Sequence, residues 1–145
     1  MYKITKPIRL IELFAGIGSQ YEALKRIGAN VTSHCVVEFD KNILAAYNYI
    51  HNSDYDAKDI TKIDYKALNI VDTNSFEYIM TYSFPCQDLS LVGDKKGMSK
   101  GDNTRSGLLW EVERLLDETV GAGGGTSANT FNGKRFPNFK QKEYK

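Results

Sequence analysis

Apolar positions recur along this chain with two periods, and the periods alternate. "RLIELF", Arg9 to Phe14, is a short apolar-rich run that predicts a strand, and "AGIGS" after it is a glycine turn. "QYEALKRIG" follows, with Tyr21, Leu24 and Ile27 at helical spacing and Gly28 as a C-terminal stop. "VTSHCVVEF" predicts a second strand, ending at Glu38. Asp40 is placed to cap a second helix in which Ile43, Ala46, Tyr47 and Ile50 share a face. "KDITKI" reads as a loop at a strand end, and "FEYIMTYSF" as a buried strand that delivers Pro85 and Cys86 at its carboxyl end. A polar loop with three glycines, "LVGDKKGMSKGDNTRS", leads into "GLLWEVERLLDE". There Leu108, Leu109, Val112, Leu115 and Leu116 mark one face of an amphipathic helix.

Strands alternating with helices predict βαβ units and a parallel sheet. Ligands of such sheets bind at the carboxyl ends of strands. The glycine turn, Glu38, Asp59 and Cys86 all fall at predicted strand ends, which puts them along one rim. The pattern stops after Glu118. Residues 119–145 carry much Gly, Asn, Thr and Lys with three Phe and no period, and read as a disordered or weakly docked tail, Gly-rich and then basic.

Composition adds limits. The chain has 145 residues, 41% hydrophobic and 26% charged, enough for one domain with a core. It contains no apolar run of transmembrane length and no signal-peptide pattern, so no membrane partner is expected and the cytoplasm is the expected compartment. Cys35 and Cys86 form neither a disulfide framework nor a zinc motif, and no metal site is expected. The net charge of +1 is unevenly spread: residues 119–145 hold five Lys/Arg against one Glu, which leaves −3 for residues 1–118. The folded part is therefore not a basic nucleic-acid surface, and a grip on phosphates has to come from elsewhere.

Gly16 and Gly18 lie directly after a strand and before a helix, where glycine permits a tight turn and close backbone approach to a ligand. Tyr21 stands where a dinucleotide fingerprint has its third glycine. Glu38, twenty residues after Gly18, is at the end of the next strand, where an acid commonly accepts from ribose hydroxyls. The combination fits an adenosine ligand without phosphates, S-adenosylmethionine first among them. The alternative is an ordinary strand–helix turn and a surface Glu. Asp59 is either an acceptor for an adenine amino group or a turn residue, and Phe39 either stacks on adenine or is core. Cys86, between Pro85 and Gln87, is either a packed thiol or a nucleophile at a rigid strand end facing a polar loop. His34 and His51 have no spacing that pairs them with it.

Taken in order, "FAGIGS", "VVEFD", "KDIT" and "SFPCQDLS" resemble the N-terminal motifs of the cytosine-5 DNA methyltransferases, over about residues 8–118. The resemblance implies an α/β fold, the Rossmann-like S-adenosylmethionine-dependent methyltransferase fold, with an incomplete parallel sheet and flanking helices. Residues 1–118 are then the N-terminal part of a catalytic domain. By position, Phe14, Ala15, Gly16 and Gly18 line the cofactor pocket, Glu38 holds the ribose, Phe39 stacks on adenine, and Asp59 with Ile60 reads its edge. Leu108 packs on the cofactor. Pro85, Cys86 and Gln87 form the catalytic motif, with Pro85 stiffening the site and Cys86 the nucleophile, and 93–105 is the loop that closes over the target base. One departure lies at Tyr82 and Ser83, where small residues are common.

The implied reaction is transfer of a methyl group from S-adenosylmethionine to C5 of cytosine in double-stranded DNA, of the restriction–modification kind. The Cys86 thiolate adds to the neighbouring ring carbon, C5 takes the methyl group, a proton leaves and the thiolate is expelled; the base is first flipped from the duplex. The Glu-Asn-Val motif that supplies the family's acid is not in this sequence, nor is the base-reading segment. The expectation is an N-terminal fragment with little activity alone, completed by a complementary C-terminal chain. The alternatives are a non-catalytic cofactor- or partner-binding fragment, and a fragment of a tRNA cytosine-5 methyltransferase.

Overall fold

A computed structural model describes residues 4–83 and 106–121. Its centre is strand β1 (Ile8–Leu13), flanked by β2 (Val31–Val37) and β3 (Glu77–Tyr82) in the order β2–β1–β3. Both pairings are parallel, so each return passes through a crossover, as the alternating periods predict. Helix α1 (Ser19–Arg26) and helix α2 (Lys41–His51) lie on either side of β2 in sequence, and α3 (Leu109–Gly121) follows β3. Leu13 at the end of β1 is level with Val37 of β2 and Tyr82 of β3, so the three carboxyl ends finish flush.

The period of 2 in the strands divides the interior into two layers. Ile11 and Leu13 of β1, with Cys35 and Val37 of β2, pack against Val112 and Leu115 of α3 and against Ile60 and Leu68. On the other side, Val36 packs with Ala15, Leu44 and Tyr47. The β1–β2 register slips by one residue: Leu10 pairs with Ser33 but Ile11 with Cys35, leaving His34 bulged. The bulged ring is used, bonding the Asn69 carbonyl at 2.9 Å and meeting Tyr78 edge-on.

Short 3₁₀ turns at Ile60–Lys62 and Tyr65–Leu68 build the loop predicted from "KDITKI". Asp59 and Asp64 start them, each carboxylate accepting from the N–H two residues on. Asp40 caps α2 as predicted, accepting from Asn42 N at 2.8 Å and Ile43 N at 3.2 Å.

Two helical faces differ from the sequence reading. In α2 the buried residues are Leu44 and Tyr47, while Ile43 and Ile50 are 40% and 54% exposed. The stripe is rotated because Tyr47 is drawn inward by hydrogen bonds as well as by packing (below). In α1 nothing is fully buried: Tyr21 and Leu24 are half-buried, and Ile27, just past the last helical residue, is exposed. Helix α3 continues to Gly121, three residues beyond Glu118, where the apolar pattern stops. Thr119 sustains it, buried, with its hydroxyl donating to the Leu115 carbonyl at 2.7 Å. Among the described residues no helix is long and apolar enough to cross a membrane.

Candidate functional site

The site begins at the end of β1, where the chain reverses into α1. Phe14, Gly16 and Gly18 all have positive φ, at 56°, 58° and 82°. Two of the three are glycine, for which this region carries no Cβ penalty. Phe14 does carry one, and such outliers gather where a backbone is held for a purpose. It is held by packing of its half-buried ring on the α3 side of the sheet. Ala15 N donates to the Val37 carbonyl at 3.2 Å, and Gly18 N to the Ala15 carbonyl at 3.0 Å, which closes the turn.

The two glycines answer to different neighbours. A Cβ on Gly16 meets no atom of the described residues within 4 Å. A Cβ on Gly18 lies 2.3 Å from His51 Nε2 and 2.7 Å from a ring carbon of Tyr47. Gly18 is therefore where α2 closes on the turn, while no described residue covers the face above Gly16.

Glu38, one residue past β2, turns back onto this loop. Its Oε2 accepts from Gly16 N at 3.0 Å and its Oε1 from Asp40 N at 2.9 Å. The carboxylate is thus fixed by a backbone N–H on each oxygen, and each oxygen keeps a lone pair for a further donor. Phe39, next in the chain, is 72% exposed, so its ring is not core. The Glu38 carbonyl accepts from Lys58 N at 2.8 Å, which brings the start of the Asp59–Ile60 loop beside Glu38. Across the sheet, Ser83 N donates to the Leu13 carbonyl at 3.4 Å, placing the end of β3 beside Phe14.

The structure therefore gathers Phe14, Ala15, Gly16, Gly18, Glu38, Phe39 and the segment leading to Asp59 at one end of the sheet. Three of the predicted site residues also take part in packing. Ala15 turns its methyl into the core with Val36, Leu44 and Tyr47, so only its backbone can face a ligand. The Ile60 side chain is also core, leaving its backbone for any edge contact. Leu108 lies in a 3₁₀ turn at Ser106–Leu108 and packs against the α3-side core. Asp59 accepts from Thr61 Oγ1 at 2.7 Å as well as from its N–H, and these bonds hold its carboxyl below the usual range. Pro85, Cys86 and Gln87 lie outside the described residues, as does the loop 93–105. Cys35 is a packed thiol, pushed up by burial.

Sequence reasoning missed what stands behind the turn. Glu12 is 1% exposed, on the face of β1 opposite Ile11 and Leu13. Helix α1 starts at Gly18, which has no side chain to cap it. Glu12 caps it instead: Oε1 accepts from Tyr21 N, in the first turn, at 3.3 Å. Its Oε2 accepts from Tyr47 OH at 2.7 Å, and Ser33 Oγ lies 2.9 Å from the same hydroxyl. Tyr55 OH donates to the Ser33 carbonyl at 2.9 Å. Burial raises the Glu12 pKa above 4.5, against the pull of these hydrogen bonds, and burial likewise pushes the Tyr47 phenol up. The available signal was a carboxylate inside an apolar strand, with a Tyr on the apolar stripe of a neighbouring helix.

Comparison with known proteins follows the same residues. The sequence model of the family described as C-5 cytosine-specific DNA methylase matches residues 8–121. The chain is similar to Orphan methyltransferase M.SssI of Spiroplasma monobiae, at 32% identity over 79% of this chain and 43% of that protein. It is similar to Type II methyltransferase M2.ScrFI of Lactococcus lactis subsp. cremoris at 29% identity, covering 76% and 44%. Type II methyltransferase M.HhaI of Haemophilus parahaemolyticus is 31% identical over 77% of this chain and 30% of its own length. The chain spans less than half the length of these relatives.

Proposed function

The chain belongs to the C-5 cytosine-specific DNA methylase family, and from that premise we propose that its described part is the S-adenosylmethionine-binding half of a DNA cytosine-5 methyltransferase. The observation that carries the reading is the Glu38 carboxylate tied to Gly16 N, which sets an acceptor pair at the rim of a glycine turn whose outer face no described residue covers. A ribose presents two adjacent hydroxyl donors, and a fixed carboxylate accepts from both without reorganising. Phe39 offers an exposed ring beside it for the adenine, and Asp59 with the Ile60 backbone offers polar groups for the adenine edge. The polar set fits the group: acceptors for hydroxyls and an amine, and an aromatic face.

When bound, S-adenosylmethionine supplies an electrophilic methyl group. Cys86 is the residue we assign to the target base. Its thiolate forms a bond to C6 of cytosine, which makes C5 nucleophilic. Once C5 has taken the methyl group, loss of the C5 proton lets the C6–S bond break and returns the thiolate. Protonation at N3 lowers the barrier, and a positioned acid is worth roughly 10²–10⁴ in rate. We propose that this acid, and the surface that reads bases, come from a complementary C-terminal methyltransferase segment acting on double-stranded DNA in the cytoplasm.

The test is calorimetric titration of the full 145-residue chain with S-adenosylmethionine, beside Glu38→Ala. Saturable binding that weakens by about 10–100-fold in the variant is the expected result, the loss of hydrogen bonds to a charged acceptor. A folded chain with no saturable binding refutes the reading. Methyl transfer to DNA upon adding the complementary segment, abolished by Cys86→Ser, tests the nucleophile separately. Transfer to tRNA instead of DNA would reassign the substrate.

A further inference from the structure

One guanidinium joins α3 to the loop that carries Asp59 and Ile60. Arg114 Nη2 donates to the Ile60 carbonyl at 3.0 Å and to the Ile63 carbonyl at 2.9 Å. Its Nε donates to Glu111 at 2.8 Å and its Nη1 to Glu118 Oε1 at 2.8 Å. The other oxygen of Glu118 accepts from Tyr65 N at 3.1 Å. A single Arg–Glu pair thus holds the backbone at residues 60, 63 and 65 from one helix. Among the described residues the loop makes no β ladder; its start is tied by Lys58 N to the Glu38 carbonyl and by Asp59 to Thr61, and its stretch from residue 60 to 65 is held by these contacts from α3 and by the core packing of Ile60 and Leu68.

We propose that Arg114 is the positioning residue for recognition of the adenine edge. The proposal rests on the cofactor reading above and deepens it. Arg114 does not touch the ligand. It fixes the Ile60 carbonyl, and through one peptide the placement of Asp59 and the Ile60 N–H relative to Glu38. The adenine amino group and ring nitrogen are directional partners, so a loop displaced by an ångström loses the edge contacts while Glu38 still holds the ribose. Lysine cannot replace the residue, because one ammonium has no planar fork to span two carbonyls and two carboxylates.

The test separates edge recognition from general stability. S-Adenosylhomocysteine and S-inosylhomocysteine differ at the edge alone: the exocyclic amino donor becomes a carbonyl, and the ring nitrogen gains a proton. Both are titrated against the wild-type chain, Arg114→Lys, Glu118→Ala and Glu38→Ala, with circular dichroism to establish that each variant is folded. The wild-type chain is expected to prefer the adenosyl compound by about 10–100-fold, the penalty for unpaired or opposed polar groups. Arg114→Lys should cut that preference to about threefold or less while changing the inosyl affinity by less than about threefold. Glu118→Ala should fall between, since Arg114 keeps both carbonyls. Glu38→Ala should weaken both ligands and keep the preference. Parallel losses in Arg114→Lys with the preference intact overturn the proposal, because they mark a purely structural role. Wild-type binding with no preference, still weakened in Glu38→Ala, overturns the edge assignment and this proposal while leaving the ribose contact. No binding of either compound overturns the cofactor reading itself.

Discussion

Replacing Gly18 by Ala should destabilise the chain far more than the same change at Gly16, two residues earlier in the same turn. Both have positive φ, so both variants share a backbone cost of roughly 1–2 kcal/mol, partly offset by a less flexible unfolded chain. The difference lies in what the new methyl meets. At Gly16 it meets no described residue within 4 Å; at Gly18 it lies 2.3 Å from His51 Nε2 and 2.7 Å from Tyr47 Cε2. The half-buried His51 ring can rotate away, at the cost of its 2.9 Å bond to the Ile17 carbonyl, about 0.5–1.5 kcal/mol. Tyr47 cannot. It is buried and its hydroxyl is held by Glu12 and Ser33. Restoring an ordinary carbon–carbon contact therefore requires α2 to retreat by about 1 Å, since such contacts are optimal near 3.5–4.0 Å. Overpacking of this kind costs about 1–3 kcal/mol. Gly18→Ala should then lie roughly 2–4 kcal/mol below Gly16→Ala in unfolding free energy, a large share of the ~5–15 kcal/mol typical of a domain. Urea unfolding followed by far-UV circular dichroism reads this as a lowered midpoint at unchanged slope. Two variants within about 0.5 kcal/mol of one another would refute the argument that α2 is seated on Gly18.

Three further outcomes follow from the same contacts. Glu12 has a raised pKa from burial, so the folded chain holds this proton more tightly than the unfolded chain. Its contribution to stability is full below the ordinary carboxylate value of 4.5 and is lost as pH rises through the raised value; Glu12→Gln should gain on wild type as pH rises over that window, and a difference independent of pH would contradict it. Phe39→Ala should leave unfolding within about 0.5 kcal/mol, because the ring is exposed, yet weaken S-adenosylmethionine by about 3–10-fold in calorimetry. Leu115→Ala, in the fully buried α3 contact, should cost about 2–5 kcal/mol in urea unfolding.

The alternation of strand and helix was legible because the two apolar periods are clean from Arg9 to Met80. Glu38 and the glycine turn were legible as partners because twenty residues separate them in a strand–helix–strand unit. Their direct bond was not, since a carboxylate's direction depends on φ at Gly16 and on the Asp40 cap. The α2 stripe was read from apolarity alone, which favours Ile43 and Ile50 over Leu44; Tyr47 and its acid partner on β1 decide the rotation, and that pairing spans 35 residues. Arg114 was hidden for a related reason. Its spacing to Glu111 and Glu118 looks like solvent-facing helix pairing, and only the fold brings the Ile60 and Ile63 carbonyls under it.

The bulge at His34 bears on which lengths of β2 this family member can tolerate. Past Leu10, every pairing of β1 with β2 is counted from that one extra residue. Deleting a residue between Cys35 and Val37 would pull Glu38 back by about 3.3 Å and turn its side chain to the other sheet face. Removing His34 instead would trade the bulge for an unbroken ladder, with Leu10 still opposite Ser33 and Ile11 still opposite Cys35, and would lose only the contacts of the His34 ring with Asn69 and Tyr78. The strand thus acts as a ruler with one adjustable mark, far from the rim it measures to. Drift in length should be absorbed at the bulge or in the turns of 69–75, and purged along 35–38, so a deletion scan across β2 would print the position of the acid as a gap in survivors.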